Sequence, residues 1–218
     1  YLESIIPINP LHGPPAIAGI KACLALMPTV PQVAVFDTSF YSEIEDFRYI
    51  YPIPYEYYEQ DRVRRYGFHG TSHRYVSARC CELLGKPDGK GTRIITCHLG
   101  NGSSLAALRD GKVIDTTMGM TPLDGVLMGT RCGAVDPSVV TFLMEKEGLT
   151  PDEMDKIMNK KSGMLGVSGV ASDDRDISAA MEAGDPRAKL AWDLRSYQIL
   201  KYIGGYVAAL GGLDAIVF

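Results

Sequence analysis

The pattern of apolar and polar residues is typical of strands in some segments and of helices in others, and together these segments predict an α/β fold. Three short apolar runs separated by glycine-containing turns are typical of a meander of strands, at residues 93–97, 103–109 and 112–117. Asp110-Gly111 in the second turn favours a tight hairpin. Residues 213–218 are again mostly apolar, which is typical of a buried strand in a parallel sheet. A meander, then helices, then such a strand is an α/β layer pattern.

Capping signals predict three helices in the second half of the chain. In each, an aspartate or threonine that can accept a backbone hydrogen bond is followed directly by proline, which suits the first helical position. These starts are Asp136-Pro137, Thr150-Pro151 and Asp185-Pro186. Gly148 ends the first helix, Glu153 completes a capping box with Thr150, and the third helix continues to about residue 209.

The first forty residues are predicted to form a loop, a helix and a strand. The helix follows Pro14-Pro15 and continues to residue 27, and the strand covers residues 31–36. Asp37 stands directly after that strand. An acid at the carboxyl end of a strand suits a catalytic group, and it equally suits a helix cap, which is the commoner case.

A glycine-spaced run carries the most informative set of side chains, Arg65-Tyr66-Gly67-Phe68-His69-Gly70-Thr71-Ser72-His73. It leads into an apolar helix that Thr71 or Ser72 can cap and that Gly85 ends. A helix N-terminus attracts anions, because its N–H groups are unpaired and the helix dipole is positive there. The run therefore indicates a phosphoryl site beside an imidazole and an arginine. A polar loop that only caps the helix explains the run equally well.

Charge and cysteine usage exclude several classes of protein. The 22 basic and 26 acidic residues are scattered, so no nucleic-acid surface is predicted. No apolar run reaches the length of a membrane span, so we expect no membrane partner. The five cysteines show neither a disulfide framework nor metal-ligand spacing, which indicates reduced thiols and a cytoplasmic protein. Walker A and GxGxxG sequences are absent, which disfavours P-loop kinases and Rossmann dehydrogenases.

Two later loops have the composition of phosphate-binding segments. His98-Leu99-Gly100-Asn101-Gly102 joins two predicted strands, and its glycines allow backbone N–H groups to approach a phosphate closely. A hairpin that needs positive φ angles is the alternative. Arg131 stands among small residues, where its guanidinium can clamp a multiply charged oxyanion. A structural salt bridge is the more common role for such an arginine.

Asp173-Asp174-Arg175 leads into a predicted helix. Its acids can hold ribose hydroxyls, and its guanidinium can lie against an adenine. A solvated run of charges that caps the helix is the commoner arrangement.

Taken in order, these motifs resemble those of the acetate and propionate kinase family. The resemblance covers essentially the whole chain and rests on residues 35–40, 65–73, 98–102, 120–125, 128–131 and 136–137. It implies the ribonuclease H-like fold of sugar kinases, actin and Hsp70, in which two α/β domains close on a nucleotide. Residues 1–40 would then end the first, substrate-side domain. Residues 41–218 would form the second, nucleotide-binding domain, truncated at its C-terminal end.

The same resemblance implies ATP-dependent phosphorylation of acetate to acetyl phosphate, with ADP as product and with Mg²⁺. By position it assigns catalytic roles to Asp37, His69 and Arg131. The residues implied in nucleotide binding are His98, Leu99, Gly100, Asn101, Gly102, Asp173, Asp174 and Arg175. Those implied near the acetate are His12, Phe68 and Pro122. Leu11 joins Phe68 and Pro122 in a small apolar wall for the methyl group.

A homodimer is expected on the same grounds. The first and last residues indicate a piece of a longer protein, so the family's amino-terminal phosphate-binding segment and its metal ligands are expected outside this sequence. Asp174 stands where the family commonly has an aromatic residue, Gly13 replaces an asparagine, and Tyr41 replaces a histidine. Two alternatives stay open: a propionate or other short-chain acyl kinase, and a catalytically inactive nucleotide-binding fragment of the same fold.

Overall fold

The computed structural model describes residues 1–8 and 12–218, which form a mixed α/β structure. Two 3₁₀ helices lie in the first part of the chain, at Glu3–Ile8 and Asp37–Tyr41. The α-helices are α1 (Gly13–Leu26), α2 (Asp46–Tyr49), α3 (Glu56–Asp61), α4 (Gly70–Leu83), α5 (Pro137–Glu147), α6 (Pro151–Lys160), α7 (Gly163–Ser168), α8 (Asp174–Glu182) and α9 (Pro186–Leu210). The strands are β1 (Arg93–Leu99), β2 (Ser103–Arg109), β3 (Lys112–Thr116) and β4 (Ala215–Val217). The α/β class predicted from the sequence is confirmed.

The four strands form one sheet in the order β3-β2-β1-β4. The first three are antiparallel neighbours, as the meander predicted. Asp110-Gly111 makes the tight hairpin turn, with φ angles of 54° and 75°. β4 pairs with β1 in parallel, with Ala215 opposite Ile94. The helices between β3 and β4 supply the long crossover that a parallel pair requires.

Side chains alternate between the two faces of the sheet, and a different long helix covers each face. One face packs on α4, through Ile94, Ala106, Leu108, Cys80 and Cys81. The other packs on α9, through Ile95, Leu105, Ala107, Tyr206 and Leu210. Because a strand has a period of two residues, the even-numbered residues of β1 and β2 face α4. This alternation decides which polar side chains of the sheet face α4.

A third apolar cluster holds the loop at residues 128–131 in place. It packs α7 and α8 against α9, through Leu127, Met164, Ile177, Ala188 and Ala191. The backbone N–H groups of Met164 and Leu165 donate to the carbonyls of Met128 and Gly129, at 2.8 and 2.9 Å. The first turn of α7 therefore anchors this loop through N–H groups that have no partner within the helix.

The strand predicted at residues 31–36 is not formed. A strand needs a hydrogen-bonding neighbour, and these residues have no ladder partner in the part of the chain that the structure describes. Val33 and Val35 are 84% and 78% exposed. The predicted helix before them is present as α1, but none of its residues is buried. The strand prediction therefore fails because residues 31–36 have no neighbouring strand among the described residues.

The three predicted helix starts of the second half are confirmed. The Asp136 carboxylate accepts from the Ser138 N–H at 2.8 Å, and Asp185 caps α9 in the same way. Thr150 and Glu153 form the predicted capping box of α6. Among the described helices, none has the length and apolarity needed to cross a membrane.

Gly163 is expected to be the most demanding glycine of the anchor between α7 and the 128–131 loop. Its φ is +63°, and a Cβ there would press on the Met128 and Arg131 carbonyl oxygens. The left-handed conformation costs alanine about 1 kcal/mol of stability. Because the Cβ would also displace the backbone of the 128–131 loop, we expect Gly163→Ala to lower the free energy of unfolding by more than about 2 kcal/mol. Denaturant unfolding of the full-length gene product measures this loss.

Gly148→Ala is the matched control for that measurement. Gly148 has a φ of +66° but nothing within 4 Å of a Cβ. We expect it to lose only about 1 kcal/mol, the conformational part of the effect. Equal losses in the two variants would contradict the importance of the Gly163 contact.

Candidate active site

The N-terminus of α4 is built differently from the sequence prediction. Neither Thr71 nor Ser72 caps it, because α4 begins at Gly70, directly after His69 in the left-handed conformation with a φ of 57°. The cap comes from a distant segment: the Thr71 N–H donates to Oδ1 of Asp37 at 3.2 Å. Gly70 packs so closely on the Asp37 carbonyl that a Cβ has no room. Asp37 thus caps a helix far along the chain, and its carboxylate is held at the start of α4.

Three histidines converge between α4 and the sheet, because helical and strand periods place them on facing surfaces. His69 and His73 are four residues apart, so their side chains lie on one side of α4. His98 is an even-numbered residue of β1 and faces them. The His69 and His98 rings stack with centroids 4.0 Å apart. Nδ1 of His98 is hydrogen-bonded to the Ser72 hydroxyl at 2.9 Å.

Buried hydroxyl groups of the sheet connect the two histidines of the α4 side. The Ser104 Oγ lies 2.8 Å from Nδ1 of His69 and 2.8 Å from Nε2 of His73. The Thr96 Oγ1 lies 2.7 Å from Nδ1 of His73. His73, Thr96 and Ser104 are all 0% exposed. The four side chains form one continuous hydrogen-bonded line from the interior of the sheet to His69.

Burial keeps both of these imidazoles neutral. It lowers the pKa of His69 to about 4, assisted by the neighbouring His98 and opposed by Asp37. It lowers the pKa of His73 to about 3, assisted by His69 and His98. A neutral imidazole carries one proton on its two nitrogens, so each ring donates from one nitrogen and accepts at the other.

His69 and Arg131 meet at Gly102, in the loop between β1 and β2. A Cβ on Gly102 would lie 3.1 Å from Nε2 of His69 and 3.4 Å from Nη1 of Arg131. Arg131 is half-buried, donates to the Pro122 carbonyl at 3.3 Å, and forms no ion pair within the described residues. The salt bridge offered as its alternative role is therefore not present there. A neutral imidazole and an uncompensated guanidinium aimed at one point suit a planar anion.

The loop at residues 98–102 has little space for a side chain at Gly102, whereas a Cβ on Gly100 would make ordinary contacts, 3.5 Å from the Gly102 carbonyl oxygen. Neither Gly100 nor Gly102 has a positive φ, so the positive-φ hairpin explanation is wrong. The Gly100 N–H donates to the Gly102 carbonyl at 3.1 Å, and the Ser103 hydroxyl donates to the Gly100 carbonyl at 3.1 Å. Leu99, the last residue of β1, is 45% exposed. Close approach of His69 and Arg131 is what excludes a side chain at Gly102.

Three loops meet at Gly129. A Cβ there would lie 2.5 Å from Oδ1 of Asn101 and 3.1 Å from the Ser172 carbonyl oxygen. The predicted phosphate loop, and the residue directly before the predicted adenosine segment, thus both approach the loop that carries Arg131 at Gly129.

The charges of the predicted adenosine segment are paired with one another and with α9. Asp173 caps α8 by accepting from the Arg175 N–H, and the Arg175 guanidinium returns to Asp173 at 2.7 Å. Hydrogen bonds from Arg175 lower the pKa of Asp173 to about 2. Asp174 pairs with Arg195 at 2.6 Å. The helix cap expected as the commoner arrangement is present.

The residues predicted near the acetate have different relations to His69 and Arg131. Phe68 is half-buried, and its carbonyl accepts from the Tyr41 hydroxyl. The Pro122 carbonyl binds Arg131. His12 is the exposed N-cap residue of α1, close enough for its charge to lower the pKa of His69. Leu11 lies outside the described residues.

Arg65 is not the anion-binding arginine that its place in the run suggested. Its Nη1 donates to the carbonyls of Thr116, Thr117 and Met118 at 3.0 to 3.1 Å. It also lies 3.5 Å from the Asp124 carboxylate. These bonds make it a structural link between the run and the end of β3.

Sequence reasoning did not identify His73, Thr96 or Ser104 as site residues. A signal existed for each. Thr96 and Ser104 are polar residues at even positions, the positions that also carry the apolar Ile94, Ala106 and Leu108, and His73 follows His69 at helical spacing. The sequence does not show that the face of α4 that carries His73 packs against the face of the sheet that carries Thr96 and Ser104.

Neither a metal cluster nor a disulfide occurs in the described chain. No three His, Cys, Asp or Glu residues within residues 1–8 and 12–218 are grouped to hold a metal ion. Cys23, Cys80, Cys81, Cys97 and Cys132 are free thiols.

The buried His73 is expected to make the fold sensitive to acid. Its pKa is about 3 in the folded chain and near 6.5 when unfolded. Below pH 6.5 the unfolded state binds a proton that the folded state does not, so stability falls as the pH falls. Between pH 6.5 and 5 we expect a loss of about 2 kcal/mol from this group, seen by denaturant unfolding. His73→Gln should flatten that slope; an unchanged slope would assign it to other groups.

Comparison with known proteins places this geometry in a family. Residues 1–218 match the family model described as the Acetokinase family. The acetate kinase of Thermoanaerobacter pseudethanolicus is 60% identical over 218 residues, which are 100% of this chain and 54% of that relative. The crystal structure of Porphyromonas gingivalis acetate kinase aligns with a TM-score of 0.93 at 53% identity, over 100% of this chain and 54% of its own. A propionate kinase from Francisella tularensis aligns with a TM-score of 0.95 at 42% identity, over 100% and 56%.

The chain spans about half the length of these relatives. The aligned structures confirm the expected fold, of which this chain corresponds to one part. The motifs around His69, Gly102 and Arg131 therefore lie in a chain whose every residue is matched by one family model. This chain belongs to the acetokinase family.

Proposed function

We propose that the full-length protein transfers the γ-phosphoryl group of ATP to the carboxylate of acetate, giving acetyl phosphate and ADP, and catalyses the reverse reaction. The observation that carries this proposal is the meeting of His69 Nε2 and Arg131 Nη1 at Gly102. The similarity to proteins named acetate kinase supports the choice of acceptor.

Catalysis of phosphoryl transfer depends mainly on stabilising negative charge in the transition state. The transferring group becomes planar, and its negative charge spreads over three equatorial oxygens. Arg131 and His69 donate to those oxygens from a half-buried position, where each hydrogen bond is stronger than in water. An acetate oxygen forms the new bond to phosphorus, the bond from phosphorus to the β-phosphate oxygen breaks, and ADP leaves.

Asp37 has a role other than proton removal in this scheme. Acetate is already ionised at neutral pH, because a carboxyl pKa is roughly 4, so the reaction needs no general base. One oxygen of Asp37 binds the Thr71 N–H at the start of α4. We infer that this carboxylate would orient water on the Mg²⁺ that accompanies ATP. One or two carboxylates together with substrate phosphates usually hold that ion, which offsets phosphate charge.

The nucleotide and the acyl group are proposed to bind on different sides of Arg131. Residues 98–102 hold the ATP phosphates, and residues 173–175 hold the adenosine; the contacts at Gly129 support this pairing of loops. Phe68, Pro122 and His12 border the acetate. The hydrogen bond from Arg131 to Pro122 joins the acyl side to the phosphoryl site.

The proposed assembly is the one that the family resemblance implies, and exposed apolar side chains support it. Residues 1–40 belong to a first, substrate-side domain and residues 41–218 to a second, nucleotide-binding domain, which the exposure of Val33 and Val35 supports. Exposed Tyr197 and Leu200 on α9 support a homodimer. Free thiols support a cytoplasmic protein.

Trapping of the acyl phosphate tests the function directly. With ATP, Mg²⁺, acetate and hydroxylamine, we expect the full-length protein to form acetohydroxamate in step with ADP. A nucleotide-binding module without kinase activity would bind ATP and form none. Propionate is the competing acceptor, since one methylene changes binding by only about 1–3 kcal/mol. A larger kcat/KM for propionate would replace acetate in the proposal.

Removal of either donor should slow turnover sharply. His69→Ala and Arg131→Ala are each expected to lower kcat about 10²-fold or more, the usual effect of losing an electrostatic stabiliser. Arg79→Ala is the control, because Arg79 is an exposed arginine of α4 that pairs with Glu82. Its kcat should match that of the unmodified protein. An unchanged kcat in the His69 or Arg131 variant would remove that residue from the mechanism.

A further inference from the structure

The Ser104 hydroxyl lies between two imidazole nitrogens and cannot treat them alike. It has one hydrogen, and it is 2.8 Å from both His69 Nδ1 and His73 Nε2. It therefore donates to one ring and accepts from the other. Because each neutral ring has a single N–H, this choice also sets which nitrogen of His69 is free to donate.

Only two directions are open to the hydrogen-bonded line. In one, Thr96 donates to His73, His73 Nε2 donates to Ser104, and Ser104 donates to His69 Nδ1. The proton of His69 then lies on Nε2, beside Gly102. In the other direction every bond is reversed, and His69 presents a lone pair at Nε2.

The buried end of the line decides between the directions. Thr96 is 0% exposed, and His73 Nδ1 is the partner of its hydroxyl within the described residues. In the reversed direction the Thr96 oxygen accepts from His73, and its own hydrogen has no acceptor there. An unpaired buried donor costs about 1–3 kcal/mol, whereas an unused second lone pair on an oxygen costs less.

We propose that Thr96, His73 and Ser104 form a one-directional hydrogen-bond line that fixes His69 as its Nε2–H tautomer, so that this nitrogen donates to the transferring phosphoryl group. The inference rests on the proposed function for the identity of the acceptor. The three residues are positioning residues, since His69 and not they reaches the Gly102 space. Burial, which lowers the pKa of both histidines, keeps the line in its neutral form at pH 7.

The pairing of His69 with Arg131 at Gly102 supports the direction in which His69 carries its proton on Nε2. Arg131 can only donate, and with Nε2–H both groups offer hydrogens to one point. A phosphoryl oxygen accepts several hydrogen bonds, so two converging donors match it.

Nitrogen-15 NMR of labelled histidines in the full-length protein reads the tautomer without turnover. His69 is assigned by the signals lost in His69→Asn. We expect a protonated Nε2 and an unprotonated Nδ1 in the unmodified protein at pH 7. Ser104→Ala and Thr96→Val should give a mixture of tautomers, and Thr96→Ser, which keeps the hydroxyl, should restore the single form. Finding the Nδ1–H tautomer, or no change in Ser104→Ala, would overturn the proposal.

Kinetics of the same variants separate positioning from general damage. We expect kcat to fall about 10- to 100-fold in Ser104→Ala, the range for losing the partner that orients a histidine, with KM for ATP and acetate little changed. Ser77→Ala is the matched control: it removes a buried α4 hydroxyl that donates to the Arg74 carbonyl. It should leave both tautomer and kcat unchanged. An equal loss in the Ser77 variant would overturn the positioning role.

The two proposals fail separately in these measurements. If no acetohydroxamate forms but the Nε2–H tautomer depends on Ser104, the proposed function fails and the hydrogen-bond line stands. If acetate is phosphorylated while His69 carries its proton on Nδ1, the line is overturned and the function stands.

Discussion

The contact between α4 and the even-numbered face of the sheet is the constraint on which the site depends. Its outer part is apolar, with Ile94 packed on Cys80 and Cys81, and this packing sets the distance between helix and sheet. Its inner part is polar, with His73 held between Thr96 and Ser104. Buried polar groups must be paired, so this part sets the orientation as well. The position and the orientation of His69 depend on both parts of this contact, because His69 is the N-cap residue of the same helix.

Two glycines, which have no side chain, shape the site as much as its side chains do. At Gly102 a Cβ would meet His69 and Arg131, and at Gly129 it would meet Asn101 and the Ser172 carbonyl. Each glycine therefore lets segments from different parts of the chain approach more closely than a side chain would allow. The loop at 128–131 is in turn held by the first N–H groups of α7. The site is thus assembled from loops, but each loop is fixed by a helix terminus or a strand end.

Asp37 shows how one contact serves structure and chemistry together. Its carboxylate caps α4 from a segment more than thirty residues away, which ties the beginning of the chain to the histidine cluster. Its negative charge opposes the effect of burial on His69, while burial still dominates. The neutral state of His69 is thus the balance of burial, the three basic neighbours His98, Arg131 and His12, and the one carboxylate of Asp37. It suits a group that donates without carrying charge.

The α/β class, the strand meander, the capped helices and the motifs of the family were predictable from the sequence, because these depend on residues close together in the chain. The same local reasoning was wrong at residues 31–36, which have no partner strand among the described residues, and at Thr71 and Ser72, where a distant carboxylate caps the helix. The absence of an ion pair at Arg131 among the described residues, and the hydrogen-bonded line from Thr96 through His73 and Ser104 to His69, became visible only in the folded chain. The hydrogen bonds of this line join residues that lie 23 to 35 positions apart in the sequence, and their distances depend on how α4 packs on the sheet.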